Sequence, residues 1–417
     1  MNKDFIFRLD WTVILIYFSF LLIGIISIYS STYEENNIIF FSSIVGKQIL
    51  FCISSILIGI LILNIKPGFF QQVSFIIYIL SIISLIGLFL IGDTAAGSTS
   101  WYKIGTIKIQ PSEFAKISTA LMIASYFTNI QTDITKTNSL IKALLIILIP
   151  SILIISQRDP GSAIVFSSFI LVFFREGLPI KYLFLIIVGL ILFVLTLVLS
   201  IYLVFIIIIL SVLVQYFFIK KYNSKTKFNK YFLLIIAGVT FCLSVNFIFN
   251  SVFEQRHRDR FNVILGITED IKGVGYNINQ SKIAIGSGGL IGKGFLQGTQ
   301  TKGNFVPAQH TDYIFTNIAE EWGFIGSMVL ILLFLILILR ILDRGEKQKN
   351  IFNRVFIYCI ASLITFHFII NIGMSLGLLP TIGIPLPFIS YGGSSMLSFS
   401  ILIFLYLNFD VNRFSQW

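Results

Sequence analysis

The chain has 417 residues, of which 56% are hydrophobic and only 12% charged, and its formal net charge is +11. That much apolar surface exceeds what one water-soluble core can hide, so a soluble globular domain is excluded and lipid is the expected solvent. The basic excess sits mostly in short connections between apolar runs, which suits anionic lipid headgroups and argues against nucleic acid.

In chain order, apolar runs predict about twelve spans near 12–31, 46–65, 73–92, 111–128, 139–156, 161–175, 180–199, 201–219, 232–252, 313–339, 352–376 and 388–408. Only Ser200 and Ile201 separate the two runs within 180–219. The first run is long enough to span, and no cleavable signal peptide is expected ahead of it. Cys52, Cys242 and Cys359 lie far apart inside apolar runs, as buried small hydrophobes do, and not in a disulfide or zinc pattern. The expected organisation is a single integral membrane domain over 1–417, all-α and polytopic, with one large loop at 253–312.

Short connections orient the spans. With the amino terminus inside, the inner connections carry eighteen basic residues. These are Lys3, Arg8, Lys66, Lys136, Lys142, Arg175, Lys181, the run Lys220, Lys221, Lys225, Lys227 and Lys230, then Arg340, Arg344, Lys347, Lys349, Arg354 and Arg413. The short outer ones carry only Lys47, Lys103, Lys108 and Arg158. Both termini are therefore expected in the cytoplasm and the long loop outside.

Four polar, glycine- and proline-rich segments fall on that outer side. The first runs from Gly97 to Trp101 and on through Gln110-Pro111-Ser112-Glu113-Phe114-Ala115-Lys116. Pro111 suits a first helical turn, and Glu113 and Lys116 share a helix face. The pair reads equally as a strut between helices or as a substrate contact. The second, Gln157-Arg158-Asp159-Pro160-Gly161-Ser162, is ordinary turn chemistry with an aspartate able to meet a sugar or phosphate. In the third, Gly286-Ser287-Gly288-Gly289-Leu290-Ile291-Gly292-Lys293-Gly294 resembles a phosphate cradle, although a re-entrant turn explains it as simply. It is not a Walker motif, since no Ser or Thr follows Lys293. The loop ends at Pro307-Ala308-Gln309-His310-Thr311-Asp312-Tyr313, with Glu320 and Glu321 further in. A carboxylate at a membrane boundary is partly desolvated, which is how a general base is tuned toward neutrality; the plainer role for Thr311 or Asp312 is a helix cap. The fourth segment, Gly377 to Ser395 with Pro380, Pro385 and Pro387, implies irregular backbone at membrane depth, tolerated only inside protein or along a cavity.

Together these segments resemble the SEDS family (shape, elongation, division and sporulation) of bacterial membrane proteins. The likeness runs from about Trp101 to Ser395. It is carried by Tyr276-Asn277-Ile278-Asn279-Gln280-Ser281-Lys282-Ile283-Ala284-Ile285-Gly286-Ser287-Gly288-Gly289, by Pro307 to Glu321 and by Pro385 to Ser395. Gln297-Gly298-Thr299-Gln300 and His310-Thr311-Asp312 are nearer to the RodA (elongation) branch than to the FtsW (division) branch. The resemblance implies a SEDS-type helical bundle in the bacterial cytoplasmic membrane that polymerises lipid II into glycan strands and releases undecaprenyl pyrophosphate. It implies Asp312 as general base, and substrate contacts from Glu113, Lys116, Asp159, Arg260, His310, Ser390 and Tyr391; Lys302 joins them only by its place in the loop. No cofactor is required by it, although a divalent cation (Mg or Mn) held with help from Glu113 or Asp159 is conceivable. Its implied partners are lipid II and the growing strand, a class B penicillin-binding transpeptidase, other elongation-complex proteins and membrane lipids. Two departures stand out. The family has about ten spans, which makes the pair near 180–219 a surplus, and its usual Gln-Pro-Asp reads Gln157-Arg158-Asp159 here.

Two other classes compete. A carrier that flips a lipid-linked precursor also uses broken helices, but needs polar groups along a two-sided path near the midplane. A non-catalytic scaffold for a transpeptidase would not need a carboxylate beside a glycine- and lysine-rich loop.

Overall fold

The apolar runs fold as helices close to where hydropathy marks them. The computed structural model describes residues 7–33, 43–95, 97–105, 107–129, 133–222, 228–253, 255–267, 274–303 and 305–414; Lys3, Lys225 and Lys227 lie outside the described residues. The chain packs as two compact units, one formed by Met1–Leu178 with Asn277–Trp417 and the other by Pro179–Tyr276.

The first unit begins with α1 (Trp11–Thr32), α2 (Ile44–Leu63) and α3 (Pro67–Ile91). The connection that follows departs from an all-helical reading. It forms a small antiparallel sheet of β1 (Asp93–Ala95), β2 (Ser98–Ile104) and β3 (Ile107–Ile109), in the order β1-β2-β3. Trp101 pairs with Asp93, and Tyr102 with Ile109. The Tyr102 hydroxyl donates to the carbonyl of Ser84 at 2.7 Å, which pins the sheet to α3. Then come α4 (Pro111–Thr128) and α5 (Thr137–Ser156). The stretch 160–175 is broken into α6 (Pro160–Val165), a 3-10 turn over Phe166–Phe169 and α7 (Ile170–Arg175).

In the second unit, α8 (Lys181–Val198) and α9 (Ile201–Tyr222) are separate helices, because Leu199 is extended. With α10 (Phe228–Phe247) they share a small core of Val204, Ile208 and Cys242. Their other apolar side chains, such as Leu185 and Leu210, stay exposed, as lipid-facing residues do. Helix α11 (Gln255–Ile264) follows, and α12 (Val274–Ser287) leads back into the first unit. That unit closes with the short α13 (Thr299–Lys302), then α14 (Ile314–Glu346), α15 (Ile351–Ser375) and α16 (Gly393–Val411). The 253–312 loop is thus largely helical where described.

Among the described residues, ten helices are long and apolar enough to cross a membrane, so the protein is a multi-pass membrane protein. The other two expected spans are α4, diluted by Glu113 and Lys116, and the broken 160–175 stretch. At about 1.5 Å per residue that stretch falls short of a roughly 30 Å hydrocarbon layer.

Four of the basic residues expected inside, Arg340, Arg344, Arg354 and Arg413, gather at one end of the first unit. Buried Asp10, ahead of α1, meets Arg340 at 2.8 Å and Arg344 at 3.2 Å near the end of α14. Asp410 near the end of α16 pairs with Arg413 at 2.9 Å. Arg354 pairs with Glu176 at 2.9 Å. The four segments expected outside meet at the opposite helix ends.

The glycine-rich stretch there is not an anion cradle. Helix α14 breaks at Gly323 (φ 66°, ψ −161°), and the break frees backbone groups that the loop takes up. The amides of Lys293 and Gly294 donate to the carbonyls of Glu320 (3.0 Å) and Glu321 (2.9 Å), and Phe324 donates back to Gly289 (2.9 Å). A Cβ on Gly288 would lie 2.1 Å from the Ala319 oxygen, and one on Gly292 (φ 87°) 2.1 Å from the Glu321 oxygen. Glycine is needed here so that two backbones can touch. Gly292→Ala is expected to destabilise by roughly 2–4 kcal/mol, from left-handed strain plus overpacking. Gly286→Ala, whose added methyl would meet nothing within 4 Å, is the matched control. Thermal unfolding in detergent should show a lower Tm for the first and an unchanged one for the second.

Candidate active site

Asp312 stands just ahead of α14, and the backbone on either side of its carboxyl is clamped. Asn371 of α15 donates one amide hydrogen to the carbonyl of Asp312 and the other to that of Ile384, each at 2.8 Å. The Ser390 hydroxyl donates to the carbonyl of Thr311 at 2.6 Å and accepts from the Leu386 amide at 2.8 Å. The Tyr391 amide donates to the carbonyl of His310 at 2.9 Å, and the two rings meet edge to face. The N-cap of α14 is Tyr313, with no side-chain cap bond, so neither Thr311 nor Asp312 serves as the cap. The Asp312 carboxylate lies over the loop glycine Gly383 (φ 73°), where an added Cβ would come 3.5 Å from Oδ2.

The proline-rich segment between α15 and α16 therefore forms one wall of the site. The 157–162 turn abuts it closely: a Cβ on Gly161 would lie 2.0 Å from the Ile382 oxygen. Asp159 caps α6. Its Oδ1 accepts from the Ser162 amide at 3.0 Å, and its Oδ2 accepts from the Ser162 hydroxyl (2.8 Å) and from Gln110 Nε2 (3.1 Å). The Thr99 amide of β2 donates to the Gln157 carbonyl, which brings in the first segment.

Glu113 and Lys116 at the head of α4 form a buried ion pair at 2.8 Å, with side chains 4% and 2% exposed. Lys116 Nζ also lies 3.0 Å from Nε2 of His367 and faces the Phe399 ring. Of the two readings of this pair, the arrangement matches the strut. Lys302, by contrast, is exposed on α13, and that helix is held by Glu320. The Glu320 carboxylate is fully buried, accepts from the amides of Gln300 and Thr301 at 2.9 Å, and pairs with Lys293 at 2.7 Å. Glu321 accepts from Ser30 and from the Leu296 amide. Arg260 lies on α11 in the second unit, half-buried.

Asp312, His310, Ser390, Tyr391 and Asp159 thus gather around the 376–392 loop. Sequence reasoning missed His367 and Asn371, two polar side chains one turn apart in an apolar span, and that isolation was the available signal. No group of three or more His, Cys, Asp or Glu side chains that could hold a metal ion is present among the described residues. Glu113 and Asp159 already have lysine, serine and glutamine partners. The donor sets of these residues do not fit a divalent ion site.

Burial holds the His310 imidazole below its ordinary pKa. The folded state therefore takes up a proton less readily than the unfolded chain does. Stability is expected to be level at neutral pH and to decline as pH falls below about 6.5, the unfolded value. His310→Gln should flatten that part of a Tm-against-pH curve in detergent; a curve unchanged from wild type would refute the assignment.

Comparison with known proteins fits this geometry. Residues 10–230 and 204–414 match the FtsW/RodA/SpoVE family of cell cycle proteins. The peptidoglycan glycosyltransferase MrdB of Escherichia coli is 29% identical over 391 residues, 94% of this chain and 90% of that protein. The peptidoglycan glycosyltransferase RodA of Treponema pallidum is 29% identical over 426 residues, 97% and 98% of the two chains. A probable peptidoglycan glycosyltransferase FtsW of Buchnera aphidicola (subspecies Schizaphis graminum) is 31% identical over 375 residues, 88% and 91%. In three dimensions the chain superposes on a protein of a peptidoglycan synthase complex with a TM-score of 0.75 at 20% identity, covering 98% of this chain and 99% of that one. The crystal structure of Thermus thermophilus RodA gives 0.63 at 20% identity, covering 97% and 98%. A broken-helix bundle with its polar segments gathered at one end, matched along almost its whole length by these proteins, places this chain in the FtsW/RodA/SpoVE family.

Proposed function

We propose that this protein is a peptidoglycan glycosyltransferase that extends glycan strands from lipid II, with Asp312 as its general base. The observation that supports the site assignment is the clamp on Asp312: its backbone is held from α15 and the loop, with its carboxylate over Gly383. The carboxylate takes the proton from the acceptor 4-hydroxyl as that oxygen attacks the donor anomeric carbon. The bond from that carbon to the pyrophosphate oxygen breaks, and undecaprenyl pyrophosphate leaves with the electron pair. Pyrophosphate is a good leaving group, so no acid partner is required. Lys302 is the cation of the first unit proposed to meet its charge, since positive groups act where charge develops. His310 and Tyr391 contact the sugars, and Asp159 and Ser390 shape the wall. Glu113 and Lys116 serve the substrate indirectly, through the loop.

The basic connections support placing both termini in the cytoplasm and Asp312 on the outer face of the cytoplasmic membrane. A class B penicillin-binding transpeptidase is the proposed partner. Support comes from the neighbour whose complex coordinates polymerization and crosslinking. Other elongation-complex proteins and membrane lipids complete the proposed surroundings.

The test is polymerisation by the purified protein with its transpeptidase and labelled lipid II. Gel-resolved strands are expected. Absence of strands, together with lipid II crossing a liposome bilayer, would favour a flippase instead.

A further inference from the structure

The loop from 376 to 392 has a chemical problem. Pro380, Pro385 and Pro387 supply no amide hydrogens, and Gly377, Gly383 and Phe388 are in the left-handed region. Its carbonyls cannot be satisfied by regular structure, yet backbone polar groups at membrane depth require partners. The Ile382 amide finds one in the Met374 sulfur at 3.1 Å. Two neighbouring carbonyls, Ile384 and Pro385, are met by side chains of α15. Asn371 takes the first at 2.8 Å, and the His367 ring nitrogen Nδ1 lies 3.1 Å from the second. His367 and Asn371 are four residues apart and share one helix face.

The partners of His367 fix its tautomer. Lys116 Nζ, 3.0 Å from Nε2, has only donors, so Nε2 accepts and Nδ1 carries the hydrogen that reaches the Pro385 oxygen. The ring is fully enclosed and sits edge-on to Phe399, which leaves it no other orientation with both bonds. A continuous line of contacts therefore runs from Glu113 through Lys116 and His367 to Pro385. Beside it, Asn371 joins Ile384 to the backbone of Asp312.

We infer that His367 is a positioning residue for the reaction: it transmits the Glu113–Lys116 anchor to the loop that, through Asn371, sets where the Asp312 carboxylate stands. The inference rests on Asp312 being the base. It gives a role to the buried ion pair, and it explains why a histidine is buried in an apolar span.

The test compares wild type, His367→Phe and His367→Gln in the full-length protein with its transpeptidase. Phenylalanine fills the space without either hydrogen bond, whereas glutamine can donate to Pro385 and accept from Lys116. Hydrogen exchange of the amides from Ile382 to Tyr391 should quicken by about tenfold in the phenylalanine variant, as one buried hydrogen bond is lost, and return close to wild type with glutamine. Polymerisation should show kcat lower by about ten- to a hundredfold for phenylalanine, as displacement of a catalytic group by a fraction of an ångström does, with lipid II KM unchanged and rescue by glutamine. Unchanged exchange in the loop would overturn the inference. So would protection lost across the whole protein without rescue by glutamine, which would mark a merely structural histidine. The exchange arm uses no lipid II. A wild type that makes no strands would therefore count against the glycosyltransferase reading, while the loop comparison still judges His367.

Discussion

Asp312→Asn is expected to lower the rate of strand synthesis by at least about a hundredfold, the lower bound for losing a general base, with Asp312→Ala lower still. The amide is nearly isosteric with the carboxylate but cannot take a proton from a sugar hydroxyl. Main-chain bonds hold this position: the Asp312 carbonyl is bonded by Asn371, the Thr311 carbonyl by Ser390, and the His310 carbonyl by the Tyr391 amide. The N-cap of α14 is Tyr313, not Asp312. The fold should accordingly survive, and Tm in detergent should stay near wild type. Strands formed at the wild-type rate by both variants would leave the enzyme in place and remove Asp312 as its base. Loss of activity together with loss of the folded protein would instead show that the carboxylate has a structural role. The substitution thus separates chemistry from architecture because main-chain bonds position the residue.

Much of this arrangement was legible in the sequence, for a physical reason in each case. Lipid-facing helices announce themselves by length and apolarity, so α1, α2, α3 and α8 to α10 fall close to their expected runs. The break between α8 and α9 needed only Ser200 as its sign. Asp312 draws attention in the sequence because it stands where a polar loop meets an apolar run. What the sequence concealed depends on contacts between distant segments. The glycines from Gly286 to Gly294 suggest a cradle for an anion, yet their amides and their missing side chains serve the carbonyls exposed by the break at Gly323. Nothing local in the sequence distinguishes a glycine that meets a phosphate from one that meets another backbone. The roles of His367 and Asn371 are hidden in the sequence, because the carbonyls they serve belong to a later, proline-rich loop. Trp101 and Tyr102 formed strands because the short connection pairs with itself, a small tertiary effect that no span analysis registers.

The second large effect is expected at the Glu113–Lys116 pair. Both side chains are almost wholly out of solvent, so removing one partner leaves a charge with no water to compensate it. Lys116→Met is expected to cost roughly 3–5 kcal/mol, because the Glu113 carboxylate already has one oxygen, Oε2, without a hydrogen-bond partner. Glu113→Leu should be similarly harmful but somewhat milder, since Lys116 keeps His367 and the face of Phe399. The double variant is the informative one. Buried ion pairs replaced by apolar residues of similar volume are often neutral or stabilising, so Glu113→Leu with Lys116→Met should recover most of the lost Tm. Activity should not recover with it. Without Lys116, the Nε2 of His367 has no donor, and the loop loses the anchored end of its support. A double variant that regains both stability and strand synthesis would show that the pair only joins helices. One that regains stability alone would show that these buried charges are retained to hold the loop that carries the reaction.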